Sequence, residues 1–137
     1  MSTPRGISNC NPGNIRRGPD QWQGLSDQQT DPAFWQFQTP YYGLRALALN
    51  LLAYYRRLHL NTVSLVINRW APASENNTTA YVRAVAREMG VGESDELNLL
   101  HTDEMAPLVA AIVRHENGQQ PYSDALIRSA CEAAGCA

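Results

Sequence analysis

The chain has 137 residues, which is enough for one domain that buries its own core without a metal or disulfide framework. Hydrophobic residues make up 44% of the sequence and charged residues 18%, so the composition excludes a disordered chain. The formal net charge of -2 disfavours a nucleic-acid partner, because general nucleic-acid binders carry a basic stripe that neutralises phosphates.

The sequence contains no apolar run near the length needed to span a bilayer. The segment from Met1 to Gly6 also lacks the apolar stretch of a signal peptide. We therefore expect a protein that is made in the cytoplasm without a signal peptide and is not inserted into a membrane.

The three cysteines, Cys10, Cys131 and Cys136, cannot all pair, and none belongs to a C-x-x-C motif. A bridge between Cys131 and Cys136 stays open, but the pattern favours reduced thiols. No metal site and no cofactor are predicted.

Residues 1–40 are rich in Asn, Gln, Gly, Pro and aromatic residues and have no helical period, so we predict loops with a short β-hairpin. The segment Asn11-Pro12-Gly13-Asn14 predicts a tight turn, in which Pro sets one φ and Gly supplies a positive φ at the next position. Trp22–Gly24 and Phe34–Phe37 are candidate strands, because the second of them alternates between apolar and polar residues.

Residues 41–137 form the helical part of the predicted domain. The first helix has Thr39 as a candidate cap and Pro40 in its first turn, and its apolar residues keep helical spacing through Tyr55. The second begins near Thr62 and stops before Pro72. The third begins near Asn77 and ends at Gly90, a residue type that commonly terminates helices.

A fourth helix begins at Asp103 and Glu104, whose charges suit the helix dipole, and runs to about Asn117. A fifth starts at Ser123-Asp124 and continues to about Ala134. The chain is therefore predicted to be one mainly α domain, 1–137, of about five helices.

The apolar stripe of the fourth helix ends in a carboxylate. Met105, Leu108 and Ile112 belong to that stripe, and the same spacing continues to Glu116. The apolar surroundings and the negative end of the helix dipole both favour the protonated form of Glu116, which suits a general acid. The alternative is a solvent-exposed glutamate at a fraying helix end, with His115 as a surface residue beside it.

The opening from Arg5 to Arg16 and the Trp22-Gln23-Gly24 segment resemble phage and prophage virion proteins of the lysozyme-like superfamily. Further matching stretches are Tyr42–Ala46, Arg69–Pro72, Glu75–Thr78, Tyr81-Val82, His115–Gly118 and Pro121–Ser123. The chain departs from the pattern at Ser8, where arginine is expected, and at Cys10, where asparagine is expected.

The resemblance implies a lysozyme-like domain that cuts peptidoglycan glycan strands as a muramidase, glucosaminidase or lytic transglycosylase, with Glu116 as its acid. The order of motifs is rotated, because the Glu-bearing helix precedes the Asn-rich turn in lytic transglycosylases and glucosaminidases. We therefore expect a circular permutation, which nearby termini make tolerable. The expected permutation further predicts that Glu116 lies in a groove near the turn from Asn11 to Arg16.

A second carboxylate is not required in superfamily members that use the N-acetyl group of the substrate. Candidates are Glu75, Asp20, Asp27 and Asp31. Glu75 stands beside the start of the third helix, where the helix dipole favours its negative charge and suits a base, although a solvent-exposed dipole partner is the simpler interpretation. Tyr81 is either a core residue or a hydrogen-bond partner of Glu116, and the resemblance favours the second role.

The implied glycan substrate needs binding residues. Aromatic faces stack on sugars, and amide and guanidinium groups bind hydroxyls and carboxylates. The candidate substrate-binding residues are Asn11, Asn14, Arg16, Trp22, Tyr41, Tyr42 and Tyr122. For Asn11 and Asn14, a role in holding the turn is the alternative.

The expected partners are peptidoglycan glycan strands and other virion or secretion-apparatus proteins. The protein would act on the cell wall as a virion component or as an exported effector. The competing interpretation is a non-catalytic virion structural or peptidoglycan-binding module that keeps the shape and the groove without turnover.

Overall fold

The computed structural model describes residues 3–137, and these residues form six helices. The helices are α1 (Arg5–Ser8), α2 (Pro40–Leu58), α3 (Val63–Trp70), α4 (Thr78–Met89), α5 (Thr102–Asn117) and α6 (Asp124–Ala134). The prediction of a mainly α fold is confirmed, and α2 to α6 correspond to the five predicted helices. None of the helices in residues 3–137 is long and apolar enough to cross a membrane.

Helix α5 runs through the main core. It packs against α4 on one side and α6 on another, while α2 packs along α6 and also contacts α5. Met105, Leu108 and Ile112 of α5 have no solvent exposure, which confirms that the predicted apolar stripe faces the core. Burial of this stripe fixes the direction in which the end of α5, and therefore Glu116, projects.

The helix ends follow local sequence signals. Side chains at Thr62, Asn77 and Ser123 accept hydrogen bonds from backbone N–H groups in the first turns of α3, α4 and α6. Gly90 and Gly118 have φ values of 73° and 71° and terminate α4 and α5. Thr39 occupies the predicted N-cap position of α2, but its side chain makes no capping hydrogen bond.

The N-terminal segment, residues 3–39, differs from the predicted hairpin. It contains the short helix α1, which the sequence did not predict, and no β-strand occurs within residues 3–137. Two isolated antiparallel bridges pair Arg16 with Phe34 and Leu25 with Phe37. Trp22–Gly24 and Phe34–Phe37 are therefore not strands.

Side chains take the place of a strand ladder in this segment. Asp31 Oδ1 accepts hydrogen bonds from the backbone N–H groups of Ala33 and Phe34, at 2.9 and 3.0 Å. Gln29 Oε1 accepts from the N–H of Gln36 at 2.8 Å. Because these side chains satisfy the backbone donors, the segment needs no continuous pairing of strands.

The predicted turn at residues 11–14 is present, since the N–H of Asn14 donates to the carbonyl of Asn11 at 2.9 Å. However, the positive φ of 51° belongs to Asn14, and Gly13 is not in the left-handed region. Gly13 is required for a different reason. A Cβ there would lie 3.2 Å from a methyl carbon of Leu47 and 3.3 Å from the ring of Trp70, so glycine lets the turn approach α2 and α3 closely.

Cys10, Cys131 and Cys136 are free thiols, in agreement with the favoured reduced state. Cys10 has a φ of 52°, in the left-handed region that asparagine tolerates better than most residues. The asparagine that the resemblance leads one to expect at this position would therefore suit the backbone better than cysteine does.

Candidate active site

Glu116 lies in the last turn of α5 and is held by two hydrogen bonds. Its Oε1 accepts from the side-chain amide of Asn14 at 3.1 Å, and its Oε2 accepts from the hydroxyl of Tyr81 at 2.8 Å. The expected proximity of Glu116 to the turn from Asn11 to Arg16 is therefore confirmed. Three elements that are distant in sequence meet at this one carboxylate.

Asn117 fastens the end of α5 to the N-terminal turn. Its buried side-chain amide donates to the carbonyls of Pro12, at 2.8 Å, and Val113, at 2.9 Å. Gly6 makes room for this junction, because a Cβ at Gly6 would lie 2.5 Å from Oδ1 of Asn117 and 2.9 Å from Oδ1 of Asn14. The position of Glu116 relative to the turn thus depends on close packing around Gly6.

Asn11 organises the turn from inside and has no solvent exposure. Its side-chain amide donates to the carbonyls of Ile15, at 3.0 Å, and Trp35, at 2.9 Å, while its Oδ1 accepts from the N–H of Ile15 at 3.0 Å. The prediction of Asn11 as a substrate-binding residue is therefore wrong. Its side chain is buried, and both its amide nitrogen and its amide oxygen are hydrogen-bonded to backbone groups.

Tyr81 lies behind Glu116 and is 1% exposed. Burial and the neighbouring Glu116 carboxylate raise the pKa of Tyr81 far above its usual value, so its hydroxyl remains a neutral donor. The ring of His115 stacks on that of Tyr81, with 3.7 Å between centroids and 24° between planes. His115 is exposed, as expected for a surface histidine, but the sequence did not predict this contact.

A cleft of about 330 Å³ opens beside Glu116, which is within the usual size of small-molecule sites. The N-terminal segment contributes Gly13, Asn14, Ile15, Arg16 and Phe34 to its lining. The helical part contributes Asn50, Tyr54, Trp70, Ala71, Glu75 and Asn76. Glu116 completes the lining, so the candidate acid faces a space that a ligand can enter.

The cleft brings together Glu116, Glu75, Asn14 and Arg16 from the predicted site, with Tyr81 directly behind them. It does not include the other predicted substrate-binding residues, which are Trp22, Tyr41, Tyr42 and Tyr122. Trp22 and Tyr42 pack on a small cluster formed by Ile15, Trp35, Phe37 and Ala46. Tyr41 and Tyr122 pack against the main core instead. These four aromatic residues pack against the two clusters but are only partly buried, so a role in binding the substrate stays a prediction.

The cleft also contains residues that the sequence did not single out as binding residues. Tyr54 and Trp70 form an edge-to-face pair with centroids 6.4 Å apart, and Asn50 lies one helical turn before Tyr54. Trp70 is half-buried and packs against both hydrophobic clusters. Asn50 could have been identified as a candidate binding residue from the sequence, because it is a polar residue within the otherwise apolar middle of α2.

The candidates for a second carboxylate differ in ion pairing and in whether they line the cleft. Asp31 is bound by Nε and Nη2 of Arg5, both at 2.6 Å, and this guanidinium holds the pKa of Asp31 well below its usual range. Asp20 and Asp27 are exposed and do not line the cleft. Apart from Glu116, Glu75 is the one carboxylate in the cleft lining among the residues that the structure describes.

No metal centre is evident in the part of the chain that the structure describes. Within residues 3–137, no three side chains of His, Cys, Asp or Glu come close enough together to hold a metal ion. The donors and acceptors in the cleft are amide, phenol, guanidinium and carboxylate groups, which can bind polar ligands and exchange a proton.

No protein-family model matches the chain. The chain is similar to Protein P5 of Pseudoalteromonas phage PM2, with 39% identity over 123 residues. The aligned region covers 87% of this chain and 74% of the phage protein. Identity of this extent over most of both chains shows common ancestry. The chain therefore belongs to the same family as Protein P5 of Pseudoalteromonas phage PM2.

Proposed function

We propose that the chain is a lysozyme-like enzyme that cuts the glycan strands of peptidoglycan, with Glu116 as its general acid. The observation that carries this proposal is the pair of hydrogen bonds from Asn14 and Tyr81 to a carboxylate that faces a cleft. A general acid needs a fixed position within reach of the leaving oxygen. Both donors come from parts of the chain distant from α5, so tertiary structure maintains that position.

The chemistry requires two proton transfers, the cleavage of one C–O bond and the formation of another. Glu116 donates its proton to the glycosidic oxygen as the bond to the anomeric carbon breaks, and the bonding electrons leave with that oxygen. The resulting carboxylate is stabilised by the Tyr81 hydroxyl and the Asn14 amide. The oxygen of water, in a muramidase or glucosaminidase, or of a sugar hydroxyl, in a lytic transglycosylase, then bonds to the anomeric carbon. Its proton passes to the Glu116 carboxylate, which restores the acid.

The positive charge that develops on the anomeric carbon needs a stabilising group. The N-acetyl group of the substrate can supply it, and in that case no second carboxylate is necessary. Glu75 is the alternative, since it lines the same cleft and stands just before α4. Its exposed carboxylate suits a base that activates water better than an acid.

The remaining lining suits a sugar. Tyr54 and Trp70 offer apolar ring surfaces for the faces of pyranose rings, and Asn50 and Asn76 offer amides for hydroxyl and acetamido groups. Most of the polar lining is uncharged, as expected for a ligand whose groups are mainly hydroxyls and amides.

The same contacts support a circular permutation. A helix ending in the acid and the Asn-rich turn that would follow it in the lytic transglycosylase order are 102 residues apart, yet Glu116 and Asn14 are in contact. We propose that the sequence order of a lysozyme-like domain has been rotated while the contacts around the acid were kept.

A non-catalytic role is the second candidate, and one observation favours it. Both carboxylate oxygens of Glu116 already accept hydrogen bonds from the protein, so Glu116 could act as a structural tie between α5, α4 and the turn. In that case the protein would be a virion structural or peptidoglycan-binding module, with other virion or secretion-apparatus proteins as partners. Under either role, its place of action would be the cell wall.

Glu116→Gln tests the enzymatic proposal. The variant keeps the size of the side chain but cannot donate a proton as a carboxylic acid does. We expect it to remain folded and to release soluble fragments from purified sacculi at least about 100-fold more slowly than the unaltered protein. The rate of fragment release and the circular dichroism spectrum are the two measurements.

Glu132→Gln is the matched control, because Glu132 is exposed on α6 and does not line the cleft. It should release fragments at the original rate. Unchanged release by folded Glu116→Gln protein would remove Glu116 from the mechanism. Absence of release by the unaltered protein would favour the structural module.

A further inference from the structure

Two arginines lie beside aromatic residues of the cleft. The guanidinium of Arg16 lies 5.2 Å from the ring centroid of Phe34, and that of Arg69 lies 5.9 Å from the ring centroid of Tyr54. Phe34 and Tyr54 both line the cleft, one from the N-terminal segment and one from α2. Arg16 itself lines the cleft, whereas Arg69 lies outside the lining, next to Tyr54.

Neither arginine has an acidic partner. Within residues 3–137, the ion pairs join Arg5 to Asp31, Arg114 to Glu88 and Arg128 to Asp103, and they leave Arg16 and Arg69 without a carboxylate. Both side chains are exposed. Stacking on an aromatic ring restricts a guanidinium while leaving its N–H donors free, which prepares it to bind a planar anion.

The neighbouring arginines of the N-terminal segment differ from Arg16. Arg5 also lies over Phe34, but Asp31 neutralises its charge. Arg17 lies over Trp35, which does not line the cleft, and it donates to the backbone carbonyl of Asp31. Arg16 is thus the cation that this segment presents to a ligand in the cleft.

The cleft contains carboxylates whose negative charge these arginines can offset. Glu75 and Glu116 both line the cleft, so without compensation it would repel an anionic ligand. A neutral glycan would need no cations beside the binding surface. Unpaired guanidiniums next to a cleft that contains carboxylates are instead typical of a site for a ligand that carries its own carboxylates.

We propose that Arg16 and Arg69 bind carboxylates carried by the substituents of the glycan, and that they make the cleft selective for an anionic amino-sugar polymer over a neutral one. This inference rests on the proposed function, because it takes a glycan as the ligand. Arg16 and Arg69 act as specificity residues and transfer no proton. Each can form the paired N–H···O contacts that a carboxylate accepts from one guanidinium.

The test compares two polymers that differ only in charge. Purified sacculi are used either native or after their carboxylates have been converted to neutral amides with carbodiimide and ethanolamine. Binding of the Glu116→Gln protein to each is measured by cosedimentation. We expect amidation to weaken binding about tenfold, and Arg16→Gln or Arg69→Gln, each added to Glu116→Gln, to weaken binding to native sacculi about threefold.

Both arginine variants should bind amidated sacculi as well as the parent protein does, because the charge they recognise is gone. Arg83→Gln is the matched control, since Arg83 is exposed on α4 and does not line the cleft, and it should bind as the parent does. Equal binding to native and amidated sacculi overturns the inference. It is also overturned if Arg83→Gln weakens binding as much as the other two, because the effect then reflects net charge alone.

These outcomes are independent of the test of the acid. If Glu116→Gln stops cleavage but the arginine variants bind normally, the enzymatic proposal stands and the charge selectivity falls. If cleavage never occurs but binding depends on Arg16, Arg69 and the carboxylates, the selectivity stands for a binding module. Lack of binding to either polymer, together with absence of cleavage, overturns both.

Discussion

The N-terminal segment and the helical part of this protein are stabilised in different ways. In the helical part, apolar residues of five helices fill one core, and the backbone hydrogen bonds are local. In residues 3–39, a small cluster around Trp35 is surrounded by side chains of Asn11, Gln29 and Asp31 that bind backbone groups. The cleft lies where the two regions meet, so the geometry of the site depends on both of them.

The largest expected loss of stability comes from the helical core. Leu108→Ala leaves a cavity beside residues that are completely buried, and such a change typically costs about 4 kcal/mol of unfolding free energy. Because α5 contacts most other helices, the whole domain should unfold more readily in a single transition. Denaturant titration followed by circular dichroism measures this loss of unfolding free energy. A loss confined to residues 3–39 would contradict a core that is shared by α2 to α6.

Asn11→Ala should act on the N-terminal segment first. It leaves the N–H of Ile15 and the carbonyl of Trp35 without a partner, while the carbonyl of Ile15 keeps the N–H of Trp35, and the expected cost is about 3 kcal/mol. Hydrogen exchange should accelerate in residues 3–39 while α2 and α5 remain protected. Asn68→Ala is the control, because Asn68 is exposed and binds only a carbonyl within its own helix. Equal loss of protection in both regions would mean that they unfold together.

Tyr81→Phe removes the hydroxyl that binds Glu116 but keeps the ring in the core. The expected loss of stability is about 1 kcal/mol, smaller than for either preceding change. If the bond positions the acid, cleavage of sacculi should fall about tenfold in kcat with little change in KM. An altered stability with unaltered kcat would limit Tyr81 to a structural role.

The smallest effect concerns the ion pair between Arg5 and Asp31. Because the folded-state pKa of Asp31 lies below its unfolded value of about 3.9, the pair stabilises the segment above that pH and loses this effect as the pH falls further. Hydrogen exchange or limited proteolysis of residues 3–39 from pH 5 to 2 measures the loss. Asp31→Asn should remove this pH dependence. An identical pH profile in the variant would assign it to other carboxylates.

The two regions also differ in how much of them could be predicted. The helices α2 to α6 were predicted because their signals are local, such as the capping side chain of Asn77 and the terminating Gly90. The N-terminal segment was not, since its order depends on contacts between distant residues, including the bond from Asn11 to the carbonyl of Trp35. A pattern of apolar and polar residues does not encode such a contact.

The site was predictable to the extent that it follows from helical spacing. The stripe on α5 leads directly to Glu116, and Tyr81 occupies the equivalent inner position on α4. Tyr54 and Trp70 were not identified as cleft residues, because their place depends on how the N-terminal turn packs against α2 and α3. Aromatic residues such as Trp22 and Tyr42 were assigned to sugar binding, and they also pack on the small N-terminal core.

The contact between Asn14 and Glu116 also has a consequence for synthesis of the protein. The two residues are 102 positions apart, so the ribosome must synthesise the whole segment from residue 14 to residue 116 before they can meet. A nascent chain can form α2, α3 and α4 while the carboxylate has not yet been made. The arrangement around Glu116 therefore assembles late, and any activity that depends on it begins only after residue 116 has left the ribosome.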